Sequence, residues 1–105
     1  MNERGQNLPV STISTQELFR RMDSDPSLIL LDVRTPEEHK GESGHLKNSL
    51  LIPVQELEKR ISELESFRDK TIVAYCRSGN RSQHAMLFLM QQGFMALNMV
   101  GGMLK

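Results

Sequence analysis

The segment best suited to chemistry begins at Cys76, directly after a stretch with a strong strand signal. Residues 71–75 are rich in β-branched and aromatic side chains, which pack well in a sheet. A short polar loop then leads into a helical pattern, and Gly79 can supply a left-handed backbone conformation there. Backbone amides in such a loop and at the start of the helix converge on one point and stabilise an anion. We therefore predict that Cys76 forms a thiolate held by these amides.

Two arginines in the same loop add positive charge next to the cysteine. Arg77 follows Cys76 directly, and Arg81 follows it after four residues. Cysteines at helix N-termini beside cations reach pKa values of roughly 3.5–7.5, so we expect a reactive thiolate near neutral pH. The three histidines cannot be placed against Cys76 by spacing, which favours activation by amides and charge over a Cys–His pair. The alternative is a structural role, because a lone cysteine is more often a small core residue.

Strand patterns recur along the chain before and after this segment. Residues 28–31 are a continuous apolar run of strand length, and residues 49–52 predict a second short strand that Pro53 ends. Such runs are typical of strands that are covered on both faces. Residues 96–100 give a last strand pattern after the strand at 71–75.

Helix signals lie between these strands. A capping box at residues 14–17 starts one helix, and a second at residues 35–38 has Pro at its first helical position. Apolar residues spaced by three and four positions mark one face of a helix over residues 54–64. A further helix covers residues 82–92 and ends at Gly93. The alternation of strands and helices predicts an α/β domain with a mostly parallel sheet.

Composition excludes several classes of function. The chain has 105 residues, enough for one domain, and thirteen Lys and Arg balance thirteen Asp and Glu. With no basic excess to neutralise a phosphate backbone, we expect no nucleic-acid partner. The longest apolar runs span a few residues, against about 20 needed to cross a bilayer, so we expect no membrane partner.

The cysteine count and the amino-terminal residues bear on redox chemistry and location. One cysteine leaves no intrachain disulfide and no CxxC metal or dithiol site, and we expect neither a metal nor an organic cofactor. Residues 1–10 are predicted to be a flexible lead-in without the apolar region of a secretory signal. A free thiol without such a signal predicts a cytoplasmic location.

Three segments together resemble the rhodanese family of single-domain sulfurtransferases. They are residues 31–39 (LDVRTPEEH), 44–49 (GHLKNS) and 75–82 (YCRSGNRS). Their order and spacing match the family, and the likeness runs from Ile13 to Gly102. The second segment departs from the family's usual sequence at its last three positions, which affects a turn rather than the chemistry.

The resemblance implies a fold and domain boundaries. It implies one α/β rhodanese-like domain over residues 11–105, with a mostly parallel five-stranded sheet flanked by helices. Family members usually continue past the Gly-Gly turn with a Trp and a further segment, whereas this sequence has no Trp and ends at Lys105. The carboxyl end of the domain is therefore expected to be truncated relative to the family.

The resemblance also implies a reaction. Cys76 would take the outer sulfur of thiosulfate or a similar small anionic donor as a persulfide. It would pass that sulfur to a thiophilic acceptor (cyanide, a thiol or a protein) in a ping-pong cycle. The loop would bind the substrates through Arg77, Ser78, Gly79, Asn80, Arg81 and Ser82. Asp32 and Arg34 would form a structural ion pair that supports the site.

A related anion-binding loop offers a different function. Cysteine-dependent phosphatases and arsenate reductases typically place five residues between Cys and Arg, whereas four separate Cys76 from Arg81 here. The shorter loop suits a sulfur-sized group better than a tetrahedral phosphate. A third reading is a non-catalytic binding module, which usually lacks the cysteine, so its presence here favours an enzyme.

Overall fold

A parallel sheet forms the centre of the molecule. The computed structural model describes residues 11–42 and 44–100. Five strands pair within these ranges: β1 (Thr12–Ser14), β2 (Leu28–Asp32), β3 (Leu50–Leu51), β4 (Thr71–Tyr75) and β5 (Met95–Val100). Their order across the sheet is β1-β5-β4-β2-β3, and every pair is parallel. The predicted α/β domain with a five-stranded sheet is confirmed.

Three α-helices connect the described strands: α1 (Thr15–Arg21), α2 (Pro36–Lys40) and α3 (Asn80–Gln91). The capping box predicted at residues 35–38 is confirmed, whereas of the box predicted at residues 14–17 the structure shows the serine half. Ser14 accepts a hydrogen bond from the backbone N–H of Glu17, and Thr35 and Glu38 form a complete capping box at α2. Helix α3 begins two residues before the predicted position and is followed by Gly93, whose φ of 90° lies in the left-handed region.

The predicted helix over residues 54–64 is wrong. The structure has two 3₁₀ helices there, Val54–Glu56 and Ile61–Phe67. The residues that precede them, Pro53 and Arg60, provide no side-chain cap, so neither segment has the polar start of an α-helix. Apolar residues spaced by three positions fit a 3₁₀ helix as well as an α-helix, so the spacing alone could not distinguish the two.

Strand β1 is the element that the sequence did not reveal. It has three residues and lies at the edge of the sheet, where it pairs with β5. Three residues are too few to show a periodic pattern, so tertiary pairing decides their conformation. The predicted lead-in at residues 1–10 lies outside the described residues.

Apolar side chains alternate between two core layers across β4. Ile72, Ala74 and Cys76 face the layer that contains α3 and the 3₁₀ helices, whereas Val73 and Tyr75 face the layer that contains α1. Cys76 therefore lies at the carboxyl end of the central strand, beneath the start of α3. This is the end of a parallel α/β sheet at which ligands bind. In the described part of the chain, the helices are all too short or too polar to cross a membrane.

Candidate active site

The sulfur of Cys76 lies in a cup of hydrogen-bond donors. The backbone N–H of Gly79 donates to Sγ at 3.0 Å, and the Oγ of Ser82 is 3.4 Å from Sγ. Gly79 has a φ of 98° and precedes the first residue of α3, so the chain turns sharply enough for its amide to face the sulfur. A side chain at this φ would be strained. The loop therefore depends on glycine to close around Cys76.

The pKa of the Cys76 thiol lies below its ordinary value because two opposing effects do not cancel. Burial raises the pKa, since the residue is 1% exposed. Hydrogen bonding of the charged sulfur to the Ser82 hydroxyl, together with the backbone N–H groups of Ser82, Gly79 and Ser78, lowers the pKa further than burial raises it. The site thus favours a negative sulfur through directed donors.

Ser82 belongs to a buried polar chain that continues to β5. Its hydroxyl donates to Oδ1 of Asn98, and Nδ2 of Asn98 donates to the carbonyl oxygen of Gly79 at 3.3 Å. Ser82 is fully buried and Asn98 is 3% exposed. Asn98 is a site residue that the motifs did not predict, although a polar residue inside an apolar strand needs a buried hydrogen-bond partner.

Arg81 is held by an acidic partner from a distant part of the chain. Its two terminal nitrogens donate to the two carboxylate oxygens of Glu38 at 2.8 and 2.9 Å. Glu38 also accepts a hydrogen bond from the backbone N–H of Thr35, so the capping box of α2 fixes this carboxylate in position. Hydrogen bonding to Glu38 raises the pKa of Arg81, and the nearby Cys76 charge raises it further. The pair clamps α2 onto the first turn of α3.

Glu38→Gln is expected to weaken this clamp in a pH-dependent manner. Arg81 holds the pKa of Glu38 at about 2, below the ordinary 4.5. Because the folded pKa is depressed, the stabilisation is present above pH 4.5 and is lost as the pH falls towards 2. For a partly exposed pair we expect Glu38→Gln to lower the free energy of unfolding by about 1 kcal/mol at pH 7. Urea unfolding at several pH values measures this difference.

The matched control for this experiment is an exposed acid–arginine pair on the same molecule. Glu65 pairs with Arg68 at 2.7 Å, but the side chains are 62% and 43% exposed. We expect Glu65→Gln to leave the free energy of unfolding nearly unchanged at every pH. An equal effect of the two substitutions, or a Glu38→Gln difference that persists at pH 2, would contradict the clamp.

A buried ionic network adjoins the site on the side of β2. Arg34 donates from Nε and Nη2 to the two carboxylate oxygens of Asp32, both at 2.9 Å, and its Nη2 also donates to the Gly44 carbonyl at 2.8 Å. His39 donates from Nδ1 to Asp32 at 2.8 Å and stacks on the ring of His45. Asp32 and Arg34 are thus an ion pair, and their support of the site stays a prediction.

Burial raises the pKa of Asp32, but the hydrogen bonds from Arg34 and His39 outweigh it, and the pKa lies below its ordinary value. Tyr75, the residue before Cys76, ties the network to the loop before β3. Its hydroxyl accepts from the backbone N–H of Leu46 at 3.0 Å and lies 2.9 Å from the Oγ of Ser49. Burial raises the pKa of Tyr75, so the phenol stays neutral. The network therefore joins β2, α2 and β4 around one negative carboxylate.

Apart from Arg81, which pairs with Glu38, the predicted loop residues separate into two groups. Cys76, Gly79 and Ser82 converge on the sulfur. The side chains of Arg77, Ser78 and Asn80 are exposed. The backbone N–H of Ser78 still acts on Cys76, as noted above. Within residues 11–42 and 44–100, His, Cys, Asp and Glu side chains form no group of three or more that could hold a metal ion.

Comparison with known proteins agrees with this fold. The family model of the rhodanese-like domain matches residues 14–105, and the chain belongs to that family. A protein of Allochromatium vinosum named sulfurtransferase is 36% identical over 96 residues, which cover 90% of this chain and 86% of that protein. This likeness supports a sulfur-transfer role.

Solved structures show the same domain. A rhodanese-related protein from Thermoplasma volcanium superposes with a TM-score of 0.78 at 34% identity, covering 90% of this chain and 87% of that one. A rhodanese-like domain protein from Staphylococcus aureus gives a TM-score of 0.79 at 28% identity, covering 90% and 88%. The arrangement of strands around Cys76 is therefore that of the family.

Proposed function

We propose that this protein is a sulfurtransferase that carries a sulfane sulfur on Cys76 as a persulfide. The observation that carries the proposal is the position of a buried sulfur at a strand end, with the amide of Gly79 and the hydroxyl of Ser82 within hydrogen-bond distance. Donors arranged in this way stabilise negative charge on sulfur without a basic partner. The persulfide is an anion as well, so the same donors serve both forms.

The cycle has two balanced steps. The Cys76 thiolate attacks the outer sulfur of thiosulfate, a new S–S bond forms, and the bond to the sulfonate sulfur breaks as sulfite leaves with its electron pair. The carbon of cyanide, or the sulfur of a thiol acceptor, then attacks the outer persulfide sulfur. The bond to Sγ breaks with its electron pair on Sγ, and the thiolate is restored. No metal or organic cofactor takes part in this cycle.

The loop supplies the recognition of a small anionic donor. Arg77 is exposed and follows Cys76 directly, and its charge would attract the sulfonate end of thiosulfate. Arg81 contributes a second positive charge, which Glu38 partly neutralises. Ser78 and Asn80 complete the loop between these arginines, and Gly79 and Ser82 hold the transferred sulfur. We place the protein in the cytoplasm, where a reducing environment keeps the thiol free.

The test is the intact mass of the protein after exposure to thiosulfate. We expect a gain of about 32 Da, the mass of one sulfur atom added as a persulfide. Cyanide or dithiothreitol should remove the gain, and alkylation of Cys76 beforehand should prevent it. A panel of donors (thiosulfate, polysulfide, glutathione persulfide) ranks the preferred substrates by the rate of mass gain.

The same sample distinguishes the phosphatase reading. Hydrolysis of para-nitrophenyl phosphate or reduction of arsenate, with no mass gain from any sulfur donor, would overturn the proposal. A Cys76 that alkylates no faster than a model thiol at pH 7 and takes up no sulfur would instead indicate a binding module.

A further inference from the structure

Asn98 occupies a place from which it controls a hydroxyl at the reacting sulfur. It lies on β5, and its backbone N–H donates to the carbonyl of Ser11 on the way into β1, at 2.8 Å. Its side chain lies on the same face of the sheet as Ala96, beneath the start of α3. From there it reaches the Ser82 hydroxyl and the Gly79 carbonyl. The hydrogen bonds of the described residues connect Asn98 to Cys76 through Ser82, which contacts both, so Asn98 acts on the sulfur through that hydroxyl.

The two contacts fix the orientation of the Asn98 amide. The Gly79 carbonyl is an acceptor, so the group that faces it must be the NH₂ of the amide. The amide oxygen then faces Ser82 and can only accept. Ser82 therefore has to donate its one hydroxyl proton to Asn98 in this contact.

One hydroxyl proton cannot serve two acceptors at once. While Ser82 donates to Asn98, its oxygen can interact with Cys76 only by accepting from the S–H of a neutral thiol. A thiolate or a persulfide anion has no proton to donate. It forms a hydrogen bond with Ser82 only if the Ser82 hydroxyl proton rotates from Asn98 towards the sulfur. Asn98 then loses a buried hydrogen bond, which has a free-energy cost.

We propose that Asn98 is a positioning residue that competes with the Cys76 sulfur for the Ser82 hydroxyl proton and thereby favours the resting thiol. The chain S–H to Ser82 to Asn98 is complete when the cysteine is neutral, and turning the Ser82 proton is the step that accompanies ionisation. The inference rests on the proposed function in one respect, because the Cys76 thiolate whose formation Asn98 controls is the group that would accept the sulfane sulfur.

Removing Asn98 tests the competition because its other contact is redundant. The Gly79 carbonyl also accepts from the backbone N–H of Gln83 at 3.1 Å, so Asn98→Leu leaves that carbonyl paired. The leucine has nearly the shape of asparagine but accepts no hydrogen bond. The Ser82 hydroxyl is then free to donate to the thiolate.

The charged groups on the elements packed around Cys76 stay the same in this variant. They are Arg77 on the loop, Arg81 on α3, Glu38 on α2, Asp32 at the end of β2 and Arg34 two residues later. Differences in thiol pKa between the parent and the variant therefore report the hydroxyl and not a change of net charge.

The experiment is the pH dependence of iodoacetamide alkylation of Cys76, followed by mass, in the parent, Asn98→Leu, Ser82→Ala and the double variant. One hydrogen bond changes a pKa by about half a unit to one unit. We expect Asn98→Leu to lower the Cys76 pKa by that amount and to speed alkylation about three- to tenfold below the pKa. In the Ser82→Ala background the same substitution should have no effect. Met99→Leu, in the other core layer, is the control for a conservative change in β5 and should leave the pKa unaltered.

The outcomes separate a positioning role from a structural one. If Asn98 merely braced the loop, Asn98→Leu would loosen the amides around sulfur and raise the pKa, with or without Ser82. A raised pKa, an unchanged pKa, or the same shift in both backgrounds overturns the inference.

A second measurement needs no substitution at Asn98. The chain has one thiol, so its S–H stretching band in the infrared belongs to Cys76 alone. At a pH below the Cys76 pKa, where the sulfur is protonated, we expect this band to be shifted to lower frequency than that of free cysteine, because the thiol donates to Ser82, and Ser82→Ala should remove the shift. An unshifted band in the parent overturns the inference. Neither measurement uses a sulfur donor, so failure of sulfur loading would refute the proposed function and leave this result standing.

Discussion

Replacing Cys76 with serine is expected to lower the rate of thiocyanate formation from thiosulfate and cyanide by at least about four orders of magnitude, as loss of a nucleophile does elsewhere. The protein has one cysteine, so no second sulfur can take over. A serine oxygen in the same cup stays protonated at neutral pH and cannot hold a persulfide. The mass gain after thiosulfate should disappear as well. Steady-state kinetics and intact mass give both readouts.

The fold of the Cys76→Ser variant must be intact for this result to count. Cys76 packs among buried apolar side chains, so a hydroxyl there has a modest destabilising effect. Circular dichroism and the thermal midpoint provide the control. If a folded Cys76→Ser protein transferred sulfur at a tenth of the parent rate or more, the persulfide mechanism would be wrong.

The chain segments that could be predicted are those whose signal is local. The strand at residues 71–75 and the capping box at Thr35 and Glu38 depend on neighbours within a few positions, and the structure has both. The loop that we propose to bind an anion is local too, since the left-handed turn at Gly79 and the start of α3 follow Cys76 directly. Local patterns predicted four of the five strands and missed β1. The five-stranded sheet was predicted from the resemblance to a family.

The contacts that could not be predicted join residues far apart in the sequence. Arg81 was expected to meet substrate, but it also pairs with Glu38, which lies 43 positions earlier. Asn98 and Ser82 meet because β5 lies beside β4 and α3 crosses above them, and no spacing rule encodes this. Long-range polar contacts of this kind are set by packing geometry, so they follow from the fold and not from the motif.

Replacing Asp32 with alanine is expected to have the largest effect on stability. Asp32 is fully buried, and its carboxylate accepts from Arg34 and His39. Without it the Arg34 guanidinium, 1% exposed, keeps its charge but retains the Gly44 carbonyl as its remaining oxygen partner among the described residues. Removing one partner of a buried pair costs about 3–5 kcal/mol. That is a large part of the about 5–15 kcal/mol by which a domain is stable.

The cause of this effect is the uncompensated charge, and a second substitution can isolate it. In the double variant Asp32→Ala, Arg34→Met, no buried cation is left without its acid, so we expect at least half of the lost free energy of unfolding to return. Urea denaturation of the parent, both single variants and the double variant forms a complete cycle. Additive losses would mean that Asp32 and Arg34 stabilise the fold independently. The recovery we expect would show instead that the two charges stabilise the fold only as a pair, which also joins the end of β2 to α2 through the hydrogen bond between Asp32 and His39.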